Sequence, residues 1–179
     1  MNPCAICFSG RIGSGKTTIS SEVASHLQWP RLSFGDYVRA VTQNRGLNSA
    51  SREVLATVGG ELIESQGWDQ FCRNVLKSGS WKHGSGLVID GIRHIEAIEQ
   101  LEKILFPMRT FLVHLELVGS DVSSQRQDGK GIDPSGITEQ HSTERQVVLD
   151  LPKHADLVLA ADLSVAVLVT SVVHFLRSR

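Results

Sequence analysis

Residues 4–18 read Cys4-Ala5-Ile6-Cys7-Phe8-Ser9-Gly10-Arg11-Ile12-Gly13-Ser14-Gly15-Lys16-Thr17-Thr18. The first five are apolar and uncharged, the composition of a strand buried on both faces of a parallel sheet. From 17 to 27, Ile19, Val23, Ala24 and Leu27 return at the spacing of one helix face. Between strand and helix, residues 10–17 satisfy G-x-x-x-x-G-K-[ST] at every position. The chemistry of that spacing is specific. Its glycines let successive backbone N–H groups converge on a phosphate, the helix N-terminus adds partial positive charge, and Lys16 brings a full one. The hydroxyl of Thr17 is placed to ligate Mg2+. Gly10, Arg11, Ile12, Gly13, Ser14, Gly15, Lys16, Thr17 and Thr18 are therefore the expected nucleotide-binding residues; the plainer alternative is a glycine turn with an exposed lysine.

Outward from this unit the alternation of strand and helix continues. Residues 31–34, 87–90 and 156–160 read as short buried strands. A further strand, 109–118, alternates Phe111, Val113, Leu115 and Leu117 with Leu112, His114 and Glu116, which predicts one face less completely buried than the other. Helices are expected over 37–43 with Asp36 as its cap, over 51–64 and 69–77 on either side of Gly67, over 94–105, and over 163–176. Five strands alternating with helices imply an α/β fold, a five-stranded parallel sheet with helices on both faces. From 119 to 141 the chain turns polar, with Gly119, Gly129, Gly131, Pro134 and Gly136 and no sustained apolar period. A polar lid loop is expected over about 119–145.

Composition narrows the field. The 179 residues suit a single domain, 1–179, with a large core, since 41% are apolar and 21% charged. With 18 basic and 19 acidic side chains the net charge is −1, without the basic excess that nucleic acid or an anionic membrane surface calls for. Asp156 and Asp162 interrupt the most apolar region, and the uncharged piece 163–173 is too short for a transmembrane helix. No targeting segment is read at 3–8, and three cysteines make no disulfide framework, so a cytoplasmic protein is expected. Cys4 and Cys7, three apart on a strand, point to opposite faces and read as buried thiols rather than half a zinc site.

Two further stretches carry chemistry. In Val88-Ile89-Asp90-Gly91-Ile92-Arg93, Asp90 ends a buried strand at the edge where open α/β sheets bind ligands, so its carboxylate can order the water shell of Mg2+. Its other reading is an N-cap for the helix that follows. Arg93 offers a fork for phosphate, and Arg39, in Ser33-Phe34-Gly35-Asp36-Tyr37-Val38-Arg39, offers another from a short helix; each also reads as an ordinary surface arginine. His94 is the histidine placed near the site, and Trp68 and Trp81 read as packing residues before acceptor contacts.

On these residues the chain resembles the small P-loop kinases of the nucleoside-monophosphate-kinase group, in particular their adenylate-kinase-like and dephospho-coenzyme-A-kinase-like branches. The resemblance implies the P-loop NTPase fold, with residues of about 35–80 forming the acceptor-binding segment. It implies Thr17 and Asp90 in the Mg2+ shell, Asp36, Arg39 and Arg93 at the acceptor, and Arg126 as the lid arginine, with Lys130 and Arg145 nearby. Lys16, Asp90, Arg93 and Arg126 are then the catalytic set. The Asp-Gly-X-Arg spacing departs from the adenylate kinase pattern, which has a proline before the arginine.

The expected activity is Mg2+-dependent phosphoryl transfer from ATP to a small phosphate acceptor, a nucleoside or deoxynucleoside monophosphate. The alternatives are a P-loop kinase for a hydroxyl acceptor, such as dephospho-coenzyme A, a nucleoside or a polynucleotide 5′ end, and a nucleotide-binding switch or partner subunit.

Overall fold

The computed structural model describes residues 2–117 and 146–179. The buried run that opens the sequence is β1 (Cys4–Gly10), with every residue buried. It is followed by α1 (Lys16–Leu27), β2 (Arg31–Ser33), α2 (Phe34–Asn44), α3 (Arg52–Lys77), β3 (Leu87–Ile92), α4 (Ile95–Leu105) and β4 (Arg109–Glu116). A π-helical turn (Gln146–Asp150), α5 (Leu151–His154), β5 (Leu157–Ala160) and α6 (Val165–Arg177) complete it. The strands form one sheet ordered β2-β3-β1-β4-β5, with every neighbouring pair parallel.

Alternation along β1 divides the core. Cys4, Ile6 and Phe8 pack with Ile19 and Val23 of α1 and Leu168 and Val172 of α6. Ala5 and Cys7 face the other way, toward Leu62 and Phe71 of α3 and Leu101 of α4. Helices therefore cover both faces, which is why β1 has no polar side in its first five residues. The two cysteines of the C-x-x-C sequence fall in different cores, and all three cysteines are free and buried. Burial pushes the Cys4 thiol up to about 11 and Cys72 up to about 12, values at which both stay protonated and inert at neutral pH.

The strand order positions the site. The chain leaves β1 through α1 on one face to reach β2, and leaves β3 through α4 on the other face to reach β4. Adjacent strands β1 and β3 thus send their connections to opposite sides, which opens a crevice at their carboxyl ends.

Two local expectations change, at the cap of α2 and on β4. The cap of α2 is Ser33, whose hydroxyl accepts the Asp36 N–H at 3.2 Å, so the helix begins at Phe34 and Asp36 lies inside its first turn. The helices expected over 51–64 and 69–77 lie within α3 and are parted, as expected, at Gly67, which leaves helical geometry at φ 75 and ψ 166 and kinks the element with no loop between them. On β4, both faces are buried from Phe111 to Leu115, His114 included. The polar member of that buried face is satisfied: Ser9 Oγ on β1 and His114 Nδ1 on β4 are 2.8 Å apart. The lid expected over 119–145 lies outside the described residues, and among those described no helix is long and apolar enough to cross a membrane.

Burial lowers the pKa of His114, opposed by Glu116 and aided by the charge of Lys16. The unfolded chain takes up this proton near pH 6.5 while the folded one resists it, so folding stability falls as pH drops below about 6.5. His114→Asn keeps a polar partner for Ser9 and removes the titration. Its urea-unfolding free energy should decline less between pH 7 and 5 than that of the wild type; equal slopes would contradict this account of His114.

Candidate active site

The glycine-rich sequence forms the connection from β1 to α1. At Gly10, with φ +146, a Cβ would lie 2.7 Å from the Leu115 carbonyl oxygen of β4 and 2.8 Å from Ser14 Oγ. Any side chain there would push the loop off the sheet. The Ser14 N–H bonds the Arg11 carbonyl at 3.2 Å and the Ile19 N–H bonds that of Gly15 at 3.0 Å, closing the loop onto α1. Helices α2, α3 and α6 are capped by Ser33, Ser51 and Ser164, whereas the cap of α1 is Gly15, without a side chain, and its first turn carries no acid. The partial positive charge of α1 is thus left to a ligand. Lys16 folds back along the loop, its Nζ donating to the Arg11 carbonyl at 3.3 Å. Arg11, Thr17 and Thr18 are exposed, Ile12, Gly13, Gly15 and Lys16 half-buried, and Ser14 buried.

Across the crevice, Asp90 stands opposite Phe8 in the β1–β3 ladder. The next residue, Gly91, at φ 90, is an extra residue in the ladder, so Ser9 pairs with Ile92. This bulge, which the positive φ restricts to glycine, ends regular pairing just where Asp90 meets the loop. Thr17 Oγ1 donates to Asp90 Oδ2 at 2.9 Å. Asp90 is 3% exposed, and its other oxygen, Oδ1, has no partner among the described residues. Asp90 caps no helix: α4 starts after His94, and the Ile95 N–H is taken by the Gln146 side-chain oxygen at 3.1 Å.

The described residues gather no group of three or more His, Cys, Asp or Glu side chains able to cage a metal. Mg2+ does not require one, because it keeps most of its waters and takes one or two protein oxygens together with phosphate. The Thr17 hydroxyl, the Asp90 carboxylate and the buried orphan Oδ1 fit such an ion.

Arg31 was not singled out by the sequence. It opens β2, and its guanidinium donates from Nη2 to Asp90 Oδ2 at 2.5 Å, from Nε to Ser20 Oγ at 3.0 Å and from Nη1 to Asp36 Oδ2 at 3.5 Å. Arg39 Nη1 donates to Asp36 Oδ1 at 2.8 Å. Thr17, Asp90, Arg31, Asp36 and Arg39 therefore form one continuous chain of hydrogen bonds and ion pairs. The available signal was an arginine at the head of a three-residue buried strand, where an apolar residue would be ordinary.

Arg93 and His94 fill the connection from β3 to α4, half-buried. The His94 ring lies 4.9 Å from Trp68, the residue after the Gly67 kink, and Trp68, Phe34 and Tyr37 all pack on Phe71 at 5.5–6.0 Å. Burial lowers the pKa of His94, with Glu96 opposing and Arg93 adding to the shift. Trp81 is elsewhere, its indole N–H closing a loop on the Ser85 carbonyl at 2.9 Å. Arg126, Lys130 and Arg145 lie outside the described residues.

Residues 9–139 match the family described as an AAA domain. A UPF0200 protein from Pyrobaculum aerophilum is 33% identical over 126 residues, 70% of this chain and 66% of that protein, so the chain spans slightly under two thirds of this relative. Cytidylate kinase from Halobacterium salinarum is 39% identical over 51 residues, 28% of this chain and 27% of that enzyme. Among solved structures, the Mycobacterium tuberculosis APS kinase in complex with AMPPNP and APS superposes with a TM-score of 0.63 at 18% identity over 98% of both chains. A gluconokinase from Sinorhizobium meliloti gives 0.60 at 15% identity over 98% of this chain and 93% of its own. Shikimate kinase from Aquifex aeolicus gives 0.56 at 18% identity over 97% and 96%. Structural likeness at this identity establishes the fold, that of small P-loop kinases, and the family match covers most of the sequence: the chain belongs to the AAA-domain family.

Proposed function

We propose that the protein transfers the γ-phosphoryl group of ATP, with Mg2+, to a nucleoside or deoxynucleoside monophosphate. The observation that carries this reading is the continuous polar chain from Thr17 and Asp90, beside the phosphate loop, through Arg31 to Asp36 and Arg39 on α2. It joins the phosphate loop to two arginines at the same sheet edge, which supports a donor side and an acceptor side there. Cytidylate is itself a nucleoside monophosphate, so the Halobacterium salinarum relative supports the same acceptor class.

Each residue has a part in this reading. The backbone amides of residues 10–18 and Lys16 hold the donor phosphates, while Thr17 and Asp90 hold the cation. Bound there, Mg2+ would neutralise charge on the β and γ oxygens. Arg39 and Arg93 bind the acceptor phosphate, and Arg126, outside the described residues, stabilises the group in flight. Phosphoryl transfer of this kind is positioning and electrostatics, with no covalent intermediate required. A monophosphate oxygen is already anionic and needs no strong base. Asp36 matches that economy, because both of its oxygens already accept guanidinium N–H groups.

The direct assay is acceptor-dependent ADP formation from Mg2+-ATP with a panel of nucleoside monophosphates, nucleosides and dephospho-coenzyme A. A monophosphate should give the fastest turnover, and EDTA should stop it until Mg2+ is restored. Lys16→Ala should lower kcat by at least about 10²-fold, the scale set by removing one transition-state donor, with an unchanged melting temperature. Near-normal turnover in that variant would remove the phosphate-loop assignment.

A hydroxyl acceptor is the second reading, favoured by one feature: the Asp36 side chain stands 60% exposed at the acceptor edge, where a base could meet a hydroxyl. Asp36→Asn separates the two. With a monophosphate acceptor it should change stability by no more than about 1 kcal/mol, as expected for exposed ion pairs, and kcat only modestly. A fall in kcat of roughly 10²- to 10⁴-fold with ATP binding preserved would establish the hydroxyl acceptor instead.

A further inference from the structure

Arg31 has no part in the reaction as described, yet it makes the shortest contact in the site. Nη2 is 2.5 Å from Asp90 Oδ2, whereas Nη1 is 3.5 Å from Asp36 Oδ2, at the outer limit of a hydrogen bond. The Arg31 side chain is 20% exposed and that of Asp90 only 4%, so the tighter pair is also the better shielded from water. Ser20 Oγ holds Nε at 3.0 Å and leaves the two terminal nitrogens directed at two different carboxylates. A guanidinium cannot shed its proton to relieve repulsion. A divalent cation bound by the same carboxylate would therefore face a permanent positive charge already seated on it, and like charges this close repel strongly where solvent screening is weak.

We propose that Arg31 is a positioning residue that competes with the divalent cation for Asp90. Without metal–nucleotide it neutralises the buried carboxylate and keeps it aimed at Thr17. When the cation is taken up at Thr17 and Asp90, the guanidinium transfers its weight to Asp36. Charge bookkeeping gives the consequence: Arg31, Arg39 and Arg93 face Asp90 and Asp36 with net charge +1, and once the cation takes over Asp90, the three arginines and Asp36 are left with +2. The acceptor side thus becomes more attractive to an anion after the donor side is loaded. The inference rests on the reading of Thr17 and Asp90 as the metal shell.

The test is Mn2+ binding to the AMPPNP-loaded protein, followed by the loss of the free-ion electron paramagnetic resonance signal, Mn2+ standing in for Mg2+ at oxygen ligands. Arg31→Gln removes the competing charge and should bind Mn2+ at least about fivefold more tightly than the wild type, a gain that structural damage would not produce. Arg31→Lys, which keeps a cation within reach of Asp90, should stay near the wild-type affinity. Equal or weaker Mn2+ binding by Arg31→Gln, with AMPPNP affinity in the absence of metal intact, overturns the inference. Should that variant not fold, the wild type decides alone: the Arg31 side-chain 15N resonances should move when Mg2+ is added to the AMPPNP-loaded protein, and unmoved resonances overturn it. No nucleotide-dependent Mn2+ binding by the wild type would remove the metal-shell reading and the inference together, whereas unchanged affinity in Arg31→Gln removes the inference alone.

Discussion

One hydrogen bond, from Thr17 on α1 to the buried carboxylate of Asp90 on β3, ties together the two strands whose connections diverge. Everything placed at the carboxyl edge of the sheet depends on that closure. It requires Gly10 to pass within contact of the Leu115 carbonyl, and it requires the bulge at Gly91 to end pairing beside Asp90. A carboxylate buried to this depth is strongly unfavourable unless paired. Here Thr17 and Arg31 satisfy one oxygen and leave the other with no partner among the described residues, which matches the needs of a hydrated cation.

The phosphate-loop unit of β1 and α1 was legible in the sequence because its constraints are local. A strand without charges, a glycine spacing and a helix with a bare N-terminus are each readable within a few residues, and Lys16, Thr17 and the loop glycines fall where that reading puts them. The parallel sheet was legible for a related reason: strands buried on both faces cannot alternate, and β1 does not. Misreadings arose where two residues of similar chemistry compete for one role. Ser33 and Asp36 both cap well, and the choice of Ser33 follows from its place at the end of β2, which sends Asp36 to two arginines instead. His114 on β4 read as part of a less buried face because its partner, Ser9, lies 105 residues earlier in the sequence. Arg31 was missed on the same ground: its meaning comes from Asp90, 59 residues later.

The proposed acceptor side is organised by packing as well as charge. Phe34 and Tyr37 of α2 and Trp68 of α3 meet on Phe71, and the kink at Gly67 immediately precedes the tryptophan that lies against His94. Two helices and the β3–α4 connection are thereby fixed to one another by rings that bury large areas at little cost in side-chain entropy. Arg31 and Arg39 are held by carboxylates, which leaves them able to change partner. A rigid aromatic base under an exchangeable ionic layer suits the proposed reaction, in which two charged substrates would bind in turn.

The most direct test of the account is a titration of the 15N-labelled protein with Mg2+-AMPPNP, followed through its backbone amide resonances. Saturable shifts concentrated at Gly13, Gly15, Lys16, Thr17 and Gly91, with the α6 amides of Leu168 and Val172 nearly still, are the predicted result. Shifts centred on another part of the fold, or none at saturating nucleotide, would contradict the claim that the β1–β3 crevice is the phosphoryl-transfer site.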